Sequence, residues 1–194
     1  MQNYQSLHFT TGRLTLRPLS TADTDALYAI FSDPAVARHL SHPAWTDRAD
    51  AEREIADHQA AMASNSAVKL GIFVTATGTL AGTVKLSYFV ADSRRCEVGY
   101  ALGVAHWGRG YLVEAMQVLL DFAFSTLDMN RIEADIDPAN IASAKTLARL
   151  GFVQEGLLRE RWIVAGVLSD TAMYGLLRRD WGGFRQARSP DRHP

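Results

Sequence analysis

Two glycines one residue apart, Gly108 and Gly110, stand where a strand-like run, residues 97–102, gives way to an apolar helical pattern reaching about Phe124. At such a junction the first helical N–H groups have no partner within the helix, and the helix dipole adds positive potential at the same point. A phosphate or pyrophosphate fits there, and glycine lets the backbone approach an anion that a Cβ would push away. The bland alternative is a glycine-rich turn into a helix, since a lone Gly-x-Gly carries little information. Glu114 falls in the first turn, where its charge complements the dipole. Cys96 could act as a nucleophile, but no neighbour in the sequence would activate it, and a packed strand thiol is the favoured reading. His39 and His42 have a spacing that a metal could use, yet no carboxylate or thiol set completes a site, so no metal is expected. Trp45, Trp162 and Tyr88 could line an acceptor cleft or pack in a core.

The elements that position these groups follow from periodicity. Residues 13–19 alternate and read as a strand. Ser20 opens a Ser-x-x-Asp capping pattern, which predicts a helix over 22–31. Asp33-Pro34 permits a short helical turn, and Thr46 is a candidate cap for a polar helix over 48–62. Strands are expected at 69–75, 80–90 and 96–102, the first two as a hairpin. The helix after the glycines shows Leu112, Ala115, Met116, Leu119, Leu120 and Ala123 at helical spacing. Residues 131–137 form a strand with Ile132, Ala134 and Ile136 on one face and Arg131, Glu133, Asp135 and Asp137 on the other. That charged face is either solvated or borders a cleft, where its acids would favour a cationic acceptor. Asn140 or Pro138 opens a helix over 141–150 that Gly151 closes. Two further strands lie near 153–164 and 169–177, and residues 182–194 read as a polar tail.

The order predicts one α/β (α+β) domain over residues 1–181, with a mixed, mostly antiparallel sheet of six to seven strands and about four helices. A formal charge of −1 and a pI near 6.6 give no argument for nucleic acid or an anionic membrane. No apolar run is long enough for a membrane span, no secretory core precedes Thr11, and a single cysteine forms no internal disulfide, so the cytoplasm is expected.

Trp107-Gly-Arg-Gly110 with Glu114-Ala115, then Asn140-Ile-Ala-Ser143 and Leu150-Gly-Phe152, resemble the GCN5-related N-acetyltransferase (GNAT) superfamily. Gly12-Arg-Leu-Thr-Leu-Arg-Pro-Leu19 and Glu97-Val-Gly-Tyr100 are similar to its branch of ribosomal-protein N-terminal acetyltransferases, which includes RimJ and RimL. The resemblance implies that acetyl-CoA, as acyl donor, lays its pyrophosphate on Trp107, Gly108, Arg109, Gly110 and the first helical N–H groups from Tyr111. Arg109 could add a charge-assisted contact. Ala105 departs from the Gln or Arg that many members carry, which removes one side-chain contact and leaves the backbone cradle. Asn140 matches a CoA-contacting Asn, its alternative being a helix cap.

Acyl transfer to an amine needs a neutral nitrogen, so a carboxylate must take the proton, directly or through a water. Glu97 matches the family's Glu on this strand and is the candidate base, the alternative being a surface carboxylate paired with Arg94 or Arg95. The oxyanion would be met by a backbone N–H near Tyr100 to Leu102. Where many members have a tyrosine to protonate the leaving thiolate, this chain has Leu147. Ser143 is the remaining hydroxyl, unless it is only a first-turn helix residue or the thiolate leaves unprotonated. The resemblance therefore implies an acetyl-CoA-dependent N-acetyltransferase working through a direct ternary complex, as a monomer or homodimer without nucleic-acid or membrane partners. The expected acceptor is a protein N-terminal amine, with a small amine such as a polyamine or aminoglycoside-like antibiotic second. A non-catalytic acyl-CoA-binding module is the competing class.

Overall fold

Burial alternates along Leu14–Arg17, since in an extended chain every second side chain turns to the same face. This strand pairs with Val68–Val74, which is buried on both faces from Leu70 to Phe73. The structure, a computed structural model, describes residues 3–183. Its strands are β1 (Phe9–Thr10), β2 (Leu14–Arg17), β3 (Val68–Val74), β4 (Thr79–Val90), β5 (Arg95–Leu102), β6 (Arg131–Ile136), β7 (Val153–Val164) and β8 (Val167–Leu177). The helices are α1 (Thr24–Phe31), α2 (Pro34–Ala37), α3 (Arg48–Ala63), α4 (Tyr111–Ser125) and α5 (Ile141–Arg149). One sheet runs β1-β2-β3-β4-β5-β6-β8-β7, and every pair is antiparallel except β5 with β6.

The sheet is mixed and mostly antiparallel, as expected, but has eight strands among the described residues rather than six to seven. The addition is β1, whose two residues are too few for any periodicity to register. The fifth α-helix is the single turn α2, started by the Asp33 side chain accepting from Ala35 N at 2.8 Å, with Pro34 at its first position. Asp47, not Thr46, caps α3: its side chain accepts from Ala49 N at 2.9 Å while Asp50 reaches back to Asp47 N at 3.1 Å. Past Gly183 the expected tail lies outside the described residues.

Apolar side chains fill both faces of the sheet. On one, Met116, Leu119, Leu120 and Ala123 of α4 and Leu147 of α5 pack onto Leu70, Leu86, Cys96, Val98 and Ile132. On the other, Leu27 and Ile30 of α1 with Ala51 and Ile55 of α3 cover Phe73, Leu80 and Ala101. The parallel pair is short: only Arg95, Cys96 and Glu97 register with Arg131, Ile132 and Glu133. Beyond them β5 stays with β4 as far as Leu102 and β6 stays with β8, so the two halves of the sheet part.

The half that ends at Leu102 tolerates no extra atom at Gly82, where a Cβ would lie 2.1 Å from the Ala101 carbonyl oxygen of the neighbouring strand. Gly82→Ala is expected to cost about 1–3 kcal/mol or more, because the clash is with backbone and no rotamer relieves it. A denaturant midpoint equal to that of the wild type would contradict this packing.

Candidate active site

Gly110 adopts φ +76° as the N-cap of α4 and Gly108 adopts φ +70°, left-handed conformations that side chains rarely take. No side chain caps α4, so its opening N–H groups stay available. A brace from the first strands holds this start in place. Arg13 donates through Nη1 to the Arg109 carbonyl at 2.9 Å and through Nε to Glu114 at 2.7 Å, with its guanidinium 4.9 Å over the Tyr111 ring. Thr11 Oγ1 and Arg13 N also donate to Glu114. Burial opposes ionisation of Glu114, but these donors outweigh it and hold the carboxyl below its usual value. Glu114 thus anchors Arg13 as well as complementing the dipole. Nothing local in the sequence links residues 101 positions apart.

Backbone direction alternates along β5. Gly103 N donates back to Ala81 O of β4 at 2.9 Å, so Tyr100 and Leu102 turn their own N–H and C=O groups the other way, towards the gap left by β6. The Trp107 indole N–H donates to the Leu102 carbonyl at 2.8 Å and ties the glycine loop to that edge.

Beside the gap lies a cleft of about 1000 Å³ whose lining on β5 runs from Glu97 to Ala101. Glu97 sits opposite Ser87 of β4 and beside Glu133 of β6. Burial raises its carboxyl above the usual range; Asp135 and Glu133 add to this, while Arg161 and Arg95 pull the other way. The surface arginines do not claim it: Arg94 pairs with Asp128 at 2.9 Å and Arg95 with Glu133 at 2.8 Å. Arg131 also bonds Glu133 and Glu155, so a network absorbs the charges around Glu97 and leaves it unpaired among the described residues.

Ser143, 6% exposed, shares a 2.7 Å hydrogen bond with the Tyr100 hydroxyl, and burial pushes that phenol up to about 12 against the pull of Ser143. Asn140 is the N-cap of α5, its Oδ1 accepting from Ser143 N at 3.0 Å, and it lines the cleft as well. Tyr100 had no side-chain role in the sequence reading, because only the fold brings it to α5. Cys96 is fully buried and its thiol is pushed up to about 12, by burial first and then by Glu133 and Glu97, as a packed strand thiol should be. His39 bonds Asp137 at 2.6 Å and His42 bonds the Pro43 carbonyl at 2.8 Å; no group of three metal-binding side chains occurs among the described residues. Trp45, Trp162 and Tyr88 all line the cleft, Trp45 stacked on Phe31 at 4.7 Å and Trp162 donating to Asp135 at 3.2 Å. Asp135 and Asp137 therefore border the cleft, while Arg131 and Glu133 serve the ion-pair network. Under α3, Glu54 and the buried His58 meet at 2.5 Å beside Lys69 and Lys85.

A helix start open to a pyrophosphate, set beside a sheet parted at its parallel pair, is the layout of an acetyltransferase fold. The acetyltransferase (GNAT) domain model matches residues 13–153, and the chain belongs to the GNAT family. It is 38% identical over 173 residues to the uncharacterised N-acetyltransferase p20 of Bacillus licheniformis, which covers 89% of this chain and 97% of that one. It is 27% identical over 187 residues to the [ribosomal protein uS5]-alanine N-acetyltransferase of Escherichia coli, covering 92% and 95%. The solved spermidine N-acetyltransferase of Vibrio cholerae, in complex with CoA and spermine, superposes with a TM-score of 0.76 over 88% of this chain and 98% of that one. At 20% identity that likeness is one of fold. The protein is an N-acetyltransferase of the RimJ/RimL-like kind. No helix among the described residues is long and apolar enough to cross a membrane.

The hydrogen bond from His58, against the opposing effect of burial, lowers the Glu54 carboxyl from 4.5 to about 2. A depressed carboxyl contributes stability above its unfolded value and loses it as pH falls through the folded one. Glu54→Gln should therefore destabilise the fold at about pH 7, and the difference from wild type should shrink between about pH 4.5 and pH 2. Denaturant titrations at the two ends check this, and a difference that does not change with pH would contradict it.

Proposed function

We propose that the enzyme transfers the acetyl group of acetyl-CoA to a protein N-terminal α-amine by direct attack in a ternary complex. The observation that carries the reading is Glu97: an unpaired, partly buried carboxylate next to a strand edge whose amides face an open gap. Trp107, Gly108, Arg109, Gly110 and Tyr111 hold the pyrophosphate of the donor at the start of α4, with Arg13 bracing the loop from behind. Asn140 and Ser143 flank the donor from α5, where Asn140 keeps its amide nitrogen free while its oxygen caps the helix.

In the proposed reaction Glu97 takes a proton from the acceptor ammonium, directly or through one water, and the amine lone pair attacks the thioester carbonyl. The carbonyl becomes an oxyanion and accepts from the N–H groups of Tyr100 or Leu102, already aimed at the gap. The adduct nitrogen gives up its second proton to solvent, and the intermediate collapses by breaking the carbon–sulfur bond. Coenzyme A leaves as a thiolate stabilised by the Ser143 hydroxyl, which the Tyr100 hydroxyl orients. The buried, unactivated Cys96 argues against an acetyl-cysteine intermediate and agrees with a reducing cytoplasm. The relative named for ribosomal protein uS5 supports a protein N-terminus as acceptor. The polyamine alternative would have to rest on Glu97 and Asp135, because Asp137 is bound by His39. Mass spectrometry of short peptides after reaction locates the acetyl group; acetylation of spermidine and of no peptide would reverse the order of acceptors.

Glu97→Gln should lower turnover about 10²–10⁴-fold near neutral pH with donor affinity nearly intact. Because its carboxyl is raised, the acid limb of kcat/KM that belongs to the base should lie above the ordinary 4.5, and in the variant only the titration of the amine itself should remain. Wild-type turnover at about pH 7 would rule the base out.

Gly110→Val places a branched side chain at φ +76°, with its Cβ 3.5 Å from Arg13 Nη2. Acetyl-CoA binding, read by calorimetry on the folded variant, should be lost. Unchanged affinity would move the donor site away from this loop.

A further inference from the structure

Lys69 of β3 and Lys85 of β4 are directly opposite each other in register, on the face of the sheet that α3 covers. Like charges in that position repel and weaken a sheet, so a pair kept there calls for a compensating anion. Among the described residues neither ammonium has an ion pair within 4 Å or a hydrogen bond, and both line the cleft. Glu54 of α3, whose charge acts on both lysines, is hydrogen-bonded to His58 and sets one negative charge against the two positive ones. Lys85 is exposed, but its stem lies across β5 where that strand has no side chain: a Cβ on Gly99 would lie 2.6 Å from its Cε. Burial lowers the Lys69 ammonium and Lys85 adds to this, while Glu54 and Asp57 oppose it. The cleft is therefore polarised, with acids at Glu97 and Asp135 and unpaired cations along Lys69 and Lys85.

We propose that Lys69 and Lys85 form an anion subsite for the acceptor, which takes the carboxylate of an acidic residue at the second or third position of the peptide being acetylated. The inference rests on the N-terminal-amine reading above. Lys85 pairs with Gly99 and Ser87 with Glu97, so Glu97 and Lys85 are diagonal neighbours, about 7–8 Å apart, with Lys69 one strand beyond. An extended peptide advances about 3.3 Å per residue, so an amine held at Glu97 brings its second or third side chain to the lysines. The α-amine and carboxylate of a free amino acid are too close together to span the same distance. A polyamine would place positive charge against the pair.

The test uses the full chain, acetyl-CoA and short peptides identical except for Asp or Glu against Asn or Gln at positions two and three. The acidic peptides should show kcat/KM about tenfold or more above their amide counterparts, chiefly through KM, with the ratio falling as salt is raised. In the Lys69→Met, Lys85→Met double variant the acid-to-amide ratio should fall to near one. Peptides acetylated equally well with acid or amide overturn the subsite and leave the N-terminal reading intact. So does a preference that survives in the double variant, since selection then lies elsewhere. Acetylation of spermidine and of no peptide overturns both.

Discussion

The one parallel pairing in an otherwise antiparallel sheet fixes where everything else must be. Parallel neighbours need a crossover, and here the crossover is the glycine loop and α4 between β5 and β6. Because the two strands point the same way, their carboxyl ends lie at one edge of the sheet, together with the start of α4. In open sheets that edge is where ligands bind. Three registered residues hold the strands together and the rest diverge, so the amides of β5 that would have paired with β6 are left for another partner. Glu97 is the last residue of β5 paired with β6, at the vertex of the divergence.

Alternation along that strand then divides the chemistry between its faces. Even-numbered Cys96 and Val98 join the core against α4 and α5, and Tyr100 reaches Ser143 from that side. Odd-numbered Glu97, Gly99 and Ala101 face α1 and α3, where an acceptor would approach. A one-residue slip of β5 would exchange the two sets, and the close approach of Gly82 to Ala101 O opposes it. Electrostatics follow from the same geometry. The Arg95–Glu133–Arg131–Glu155 network neutralises the charges at the closed end of the parallel pair, so burial acts on Glu97 with no cation in direct contact.

Much of this order can be read from the chain because it depends on local periodicity. Alternation marked the long strands, helical spacing marked α4, and Gly-x-Gly before an apolar helix marked the anion-ready start. β1, too short for a period, gave no such signal, and α2 was legible only through its Asp33-Pro34 start. The acids of β6 were legible as one face but not as two groups: only the fold sends Glu133 into an ion-pair network and Asp135 and Asp137 to the cleft. Contacts between distant residues were invisible for the same reason. His39 and Asp137 are 98 residues apart, Arg13 and Glu114 are 101 apart, and no local pattern encodes either. Lys69 and Lys85 each look like an ordinary strand lysine until register places them side by side.

In the proposed reading, the donor half and the acceptor half of the molecule are held by different kinds of constraint. Around the donor, backbone geometry does most of the work: two left-handed glycines, an uncapped helix and a free strand edge, with Arg13 and Trp107 as braces. Such features belong to the fold and say little about which amine is acetylated. The acceptor side is lined by side chains from the segment 38–45 after α2, from α3, from the β7–β8 hairpin and from the cleft-facing row of β3 and β4. Selection must come from there, because side chains can change without disturbing the sheet that carries them. Among the cleft's acids Asp137 and Glu54 are bonded to histidines, while Asp135 accepts only from the neutral Trp162 indole and keeps its charge beside Glu97. In the proposed reading, a cleft with Glu97 and Asp135 at one end and two unpaired ammonium groups at the other suits an acceptor that presents one amine followed by negative charge.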